Sequence, residues 1–135
     1  MDTANPSVLL ILARELASNA ATPMFVVDAG GNLIFYNEPA EQVLGLSFGE
    51  AGSLSADEWG SMWRPKDCDT GEPLPLEELP LAIAFTKRRA AHRPMAIMGA
   101  DGISRNIQVT AFPLFARADE LVGGVAIFWT DVGAE

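Results

Sequence analysis

Residues 26–45 read VVDAGGNLIFYNEPAEQVLG. Two apolar runs, Met24 to Asp28 and Leu33 to Tyr36, flank the turn Ala29-Gly30-Gly31-Asn32. Glycine takes positive φ at no steric cost, so the pair predicts a hairpin joining two strands. The β-branched Val26 and Val27 suit a buried strand. Asn37 then stands where a helix N-cap belongs, with Pro39 near the first turn and Gly45 at the end.

Upstream of the hairpin, Ser7 to Ala20 carries apolar residues at 8, 9, 12, 13, 16, 17 and 20. That is helical spacing with a wide apolar stripe, which Leu10 and Ile11 extend further round. Arg14 and Glu15 mark its wet side. Asn5-Pro6 reads as an N-cap followed by proline at the first helical position, and Pro23 closes the region.

Downstream, Ser55 and Glu58 have the spacing of a capping box and predict a short helix. Lys66 to Pro75 is a turn-rich loop. Leu76 to Arg89 has helical periodicity, with regular helix starting near Pro80 and cations at its C-terminus. Three strands complete the chain: Pro94 to Gly99, Ile103 to Phe112 and Leu121 to Trp129, with Asp101-Gly102 as a hairpin turn. In the second, Ile103, Ile107, Val109 and Ala111 share one face. The third is apolar on both faces.

Strands and helices kept apart in this order predict an α+β fold with an antiparallel sheet. Met24–Val27 and Leu121–Trp129 are apolar on both sides and belong in its centre. The middle helices cover one face. The N-terminal helix, a partner subunit, or both cover the other.

Composition narrows the function. The 135 residues suit one domain, and a hydrophobic fraction of 49% suits a packed globule. Nine basic against eighteen acidic residues give a net charge of −9, which duplex DNA and anionic lipid repel. The expected partners therefore include no nucleic acid and no membrane. One cysteine, Cys68, permits no internal disulfide, and the longest apolar run, Val8 to Ala13, is too short to span a bilayer. With Asp2 in place of a basic leader, these features lead to the expectation of a cytoplasmic protein.

The residues Val26-Val27-Asp28, Gly31, Leu33 and Asn37 resemble the opening of a PAS domain, a small sensor module of signalling proteins. Asp69, Gly71, Pro73-Leu74-Pro75, Pro80-Leu81 and Asp101-Gly102 resemble later parts of that family, so the likeness runs from about residue 20 to 132. It implies a five-stranded antiparallel sheet of order 2-1-5-4-3, with short helices on one face and an N-terminal helix. Residues 1–20 would be the amphipathic cap or dimerisation helix, and 21–132 the PAS domain. Asp131-Val132-Gly133 stands where many PAS domains carry an Asp-Ile-Thr-like signature leading to an output helix, and the threonine is missing. The chain stops at Glu135, so an output domain was cut away or none exists, and a freestanding domain would signal through a partner.

Trp59 and Trp63, four residues apart, can share a helical face. With Met62, Phe85, Ile97 and Val109 they are candidates to line a pocket under the sheet. The competing reading is filled core, because aromatic residues and methionine are ordinary core material. His92 is the one histidine, just beyond the predicted helix. Haem-binding PAS domains ligate iron through a histidine of that helix, which raises haem as a cofactor; an exposed linker histidine is the ordinary alternative. Non-covalent flavin is the other cofactor considered. The reactive-cysteine motif of flavin photosensors is absent, and Cys68 lies between Asp67 and Asp69, which disfavour a thiolate. The acidic middle, Asp57 to Glu78, lacks calcium-loop spacing and reads as solvated surface. No spacing brings Asp28, His92 and Asp101 together as a catalytic set, so a small enzyme is the weakest reading. The sequence thus predicts a non-enzymatic sensory or regulatory domain. It would act as a homodimer through the N-terminal helix and outer sheet face, or with an effector protein. The alternative is a ligand-free interaction module.

Overall fold

The computed structural model describes residues 6–117 and 119–130, so Asn5 and Asp131-Val132-Gly133 lie outside the described residues. Helix α1 spans Pro6–Ser18, and the hairpin strands β1 and β2 span Met24–Asp28 and Leu33–Tyr36. Three short helices follow: α2 at Glu38–Leu44, α3 at Phe48–Ala51 and α4 at Ala56–Met62. A 3-10 turn at Leu76–Glu78 leads into α5, Pro80–Lys87. Strands β3 (Ala91–Met98), β4 (Ser104–Phe115) and β5 (Leu121–Thr130) close the fold. The sheet has the order β2-β1-β5-β4-β3 and every pairing is antiparallel. Both fold class and strand order agree with the sequence-based expectation.

The helix boundaries follow their caps. Asn37 accepts from the Ala40 amide to start α2, and Ser55 with Glu58 forms the full capping box of α4. Ser47 caps α3, a single turn that the patterning of 47–60 does not disclose. Regular helix begins at Pro80, where a proline costs no hydrogen bond. Strand β3 starts three residues earlier than the sequence suggests and β4 ends three later. Cross-strand pairing from Ala91↔Ala111 to Met98↔Ser104 holds polar residues extended that have little strand pattern of their own.

The sheet separates two apolar layers. On the inner face, Phe25, Val27, Ile107, Val109, Ala126 and Phe128 pack beneath α2, α4 and α5. On the outer face, Met24, Val26 and Val125 pack against Ala17 of α1, with Leu10, Ala13 and Ala20 alongside. The central strands are thus buried on both sides. Gly123 and Gly124 make this possible in β5. A side chain at 123 would meet the Val27 carbonyl at 2.4 Å and Leu10 at 2.7 Å; one at 124 would meet Phe85 at 2.6 Å.

Asn37 joins the layers. It is 1% exposed, yet its side chain is fully bonded. Its Oδ1 accepts from the Met24 amide at 3.0 Å and the Ala40 amide at 3.1 Å. Its Nδ2 donates to the Ala17 carbonyl at 2.8 Å and the Thr22 carbonyl at 2.9 Å. One side chain therefore caps α2, holds β1 and ties down the C-terminal end of α1.

Candidate functional site

The inner face lines a partly open cavity of about 90 Å³. It lies between α4, the start of α5 and strands β3 to β5, and its walls include Trp59, Trp63, Leu81, Ile97, Val109 and Phe128. Trp59 comes from α4 and Trp63 from its C-terminal cap, one turn on, which is why both face inward. Phe25 meets both indoles edge-on, at centroid distances of 5.3 and 6.2 Å. Both indole N–H groups are engaged by backbone carbonyls: Trp59 donates to Gly31 at 2.7 Å and Trp63 to Leu44 at 3.0 Å.

Four of the six pocket candidates, Trp59, Trp63, Ile97 and Val109, thus line this cavity. Met62 does not: it is exposed, because it lies about 100° round the helix from Trp63. Phe85 lies in a separate groove with Val27, Gly31 and Leu81, toward the end of β1. The walls that sequence reasoning missed, such as Phe25, Leu79, Met95 and Phe128, come from strands and loops far apart in the chain. For the strand residues Phe25, Met95 and Phe128, inward parity is the signal that could have found them.

His92 belongs to β3 and not to a linker, and it faces the other side of the sheet from Met95 and Ile97. Its Nδ1 is 2.7 Å from Thr110 Oγ1, its Nε2 is 2.9 Å from Gln108 Oε1, and its ring is 6.2 Å from that of Trp129. It cannot reach the cavity, so the residues present do not fit a haem held through His92. Flavin fits no better. The isoalloxazine edge needs hydrogen-bond partners, and an apolar cavity well below the roughly 300 Å³ of a small-molecule pocket supplies neither partners nor room. Cys68 is exposed on the 66–75 loop and does not line the cavity. Among the described residues no group of three or more His, Cys, Asp or Glu could hold a metal ion.

Ionic contacts frame the cavity from outside. Arg93, on β3, reaches Asp67 at 3.1 Å and Glu78 at 3.6 Å, tying the 66–75 loop and the 3-10 turn to the sheet. The amides of Thr70 and Asp69 hold the Asp67 carboxyl below its ordinary pKa, with Arg93 a further cause. The Asp101 carboxyl is lowered chiefly by its hydrogen bond from Arg105, at 2.9 Å. Tyr36 is buried and donates its hydroxyl to the Leu46 carbonyl at 2.7 Å. Burial, then the nearby charges of Glu41 and Glu50, pushes its pKa up to about 12.

A family profile described as PAS domain matches residues 12–83, more than half of the chain. The chain belongs to the PAS domain family. Comparison with curated proteins gives no match. Among solved structures it is similar to the PAS domain of Bordetella pertussis BvgS (12% identity, TM-score 0.58, covering 91% of this chain and 85% of that one). It is also similar to the PAS domain of an HTR-like protein from Haloarcula marismortui (15% identity, TM-score 0.59, 93% of each chain). A LOV protein of Rhodobacter sphaeroides gives 12% identity and a TM-score of 0.67, over 87% of this chain and 64% of that one. At these identities the likeness is one of fold.

Proposed function

We propose that this PAS domain is a non-catalytic sensory or regulatory module that works as a homodimer, through α1 and the open part of the outer sheet face. The observation that carries the reading is the split stripe of α1. Ala17, Leu10 and Ala13 face the sheet, whereas Val8, Ile11, Leu12 and Leu16 stay 50%, 58%, 59% and 66% exposed. Their spacing of three, one and four residues is that of a helix–helix seam. A second copy of α1 would cover this seam. A signal would then act by shifting the packing of α1 on the sheet, through whichever state the ligand or effector binds better.

Sedimentation analysis of Leu12→Glu/Leu16→Glu tests the reading. The wild-type chain should sediment as a dimer and the variant as a monomer with its melting temperature little changed, since both side chains point away from their own sheet. A monomeric wild type, or a variant that remains dimeric, would refute it. The small, wholly apolar cavity supports a second reading, in which the domain binds no small ligand and responds only to a protein partner. A retained lipid or chromophore in native mass spectrometry would exclude that version. No helix among the described residues is long and apolar enough to cross a membrane.

A further inference from the structure

Nine lysine and arginine residues face eighteen acids in this chain, and most are engaged. Arg93 and Arg105 form ion pairs, and Arg117 is engaged as well. Arg14 lies over the Phe35 ring, and Arg88 lies over Phe115 while also donating to the Asp119 carbonyl. Arg64 and Lys66 are different: among the described residues, neither side chain has a hydrogen bond or ion pair. Both line one groove of about 480 Å³, between α4 and the 66–75 loop. All four of Arg64, Lys66, Lys87 and Arg89 are exposed, but Lys87 and Arg89, also without partners, lie at the end of α5 and line no such groove.

The groove is held in shape. Lys66 exchanges backbone hydrogen bonds with Ala96 of β3, at 2.8 and 2.9 Å, and Leu74 donates to the Pro65 carbonyl at 2.9 Å. Pro65, Pro73 and Pro75 stiffen the walls further, and Leu76 with the exposed Pro73 and Pro75 supplies apolar surface. Arg64 has φ +47°, in the left-handed region that side chains other than glycine disfavour. The one other non-glycine residue with positive φ among those described, Arg88, uses its guanidinium on Phe115 and Asp119. Arg64 accepts the same backbone cost with its guanidinium still unengaged. The negative end of α4 favours a cation there without neutralising it. Asp57, the groove's carboxylate, sits near the start of α4, about 10 Å of helix rise away.

From this arrangement we propose that the groove is a binding site for a small monocarboxylate with an apolar body. The carboxylate is held between Arg64 and Lys66, and the body rests on Leu76, Pro73 and Pro75. The Arg64 fork accepts a carboxylate in two parallel hydrogen bonds, and Lys66 adds a point charge. A volume of about 480 Å³ lies within the range of small-molecule pockets, and a rigid frame lowers the entropic cost of binding. Asp57 disfavours a second negative charge at the ligand's far end. This site is distinct from the inner cavity and does not depend on how α1 acts.

The test is an amide NMR titration with hexanoate, benzoate and indole-3-acetate, each against its neutral alcohol. At least one acid should give saturable shifts centred on Ser61–Lys66 and Leu74–Leu76, and its alcohol should bind at least about tenfold more weakly. Arg64→Gly is the decisive variant: it relieves the left-handed backbone, so it should raise the melting temperature and yet weaken the acid about tenfold or more. Lys66→Gln should weaken it in the same direction without changing stability. Absence of saturable shifts with all three acids, equal binding of acid and alcohol, shifts confined to the inner cavity, or undiminished affinity in Arg64→Gly would overturn the proposal.

Discussion

Asn37→Ala should be among the most damaging single substitutions in this domain. The change removes four hydrogen bonds of 2.8–3.1 Å at a residue that is 1% exposed. It leaves the Met24 and Ala40 amides and the Ala17 and Thr22 carbonyls short of partners. A net hydrogen bond is worth about 1 kcal/mol, an N-cap also about 1 kcal/mol, and a stranded buried group costs more. Partial access of water at the Thr22 end reduces the sum, which comes to roughly 3–4 kcal/mol, a large share of the 5–15 kcal/mol typical of a domain. Urea unfolding followed by the fluorescence of the buried Trp59 and Trp63 measures this directly, as a lower midpoint at similar slope. Asn37→Asp separates the parts: it keeps both acceptor bonds but sets a carboxylate against two carbonyls, so it should be at least as destabilising. Hydrogen exchange should also show the Ala13–Ser18 amides opening more readily in both variants. A loss below about 1 kcal/mol for Asn37→Ala, or unchanged exchange at the end of α1, would refute the view that this side chain ties the layers together.

Two further predictions follow from local geometry. Tyr36 is the one tyrosine, so its ionisation can be read from tyrosinate absorbance alone, and the native midpoint should lie near 12 against about 10 in the urea-unfolded chain. Because the folded value is the higher one, this stability is complete below pH 10 and is lost as pH rises toward 12; Tyr36→Phe should flatten that decline, and equal native and unfolded midpoints would contradict the argument. Gly45 sits at φ +73° at the end of α2, where a Cβ would come within 2.8 Å of the Asp101 amide nitrogen, so Gly45→Ala should cost about 2 kcal/mol or more in the same urea assay.

Much of the fold was legible in the chain because it is written in local chemistry. The Gly30-Gly31 turn, the Asn37 cap and the Ser55–Glu58 capping box each act within a few residues, and the structure shows all three. Two-sided hydrophobicity placed β1 and β5 in the centre, since only a strand covered on both faces can afford it. The edges were harder. His92 and Arg93 carry little strand pattern, and they are extended because β4 pairs with them.

The sequence by itself determined the family, the element order and the central strands. Tertiary structure decided where each ambiguous side chain went. The apolar stripe of α1 predicted a helix needing cover, but only packing showed that Leu10, Ala13 and Ala17 meet the sheet while Leu12 and Leu16 do not. Trp59 and Met62 share a helix, yet one lines the cavity and the other meets solvent. Arg64 and Lys66 share one groove only because the 66–75 segment folds against α4. Turns and caps depend on neighbours in sequence. Cavities, grooves and seams depend on surfaces that meet only once the chain has closed on itself.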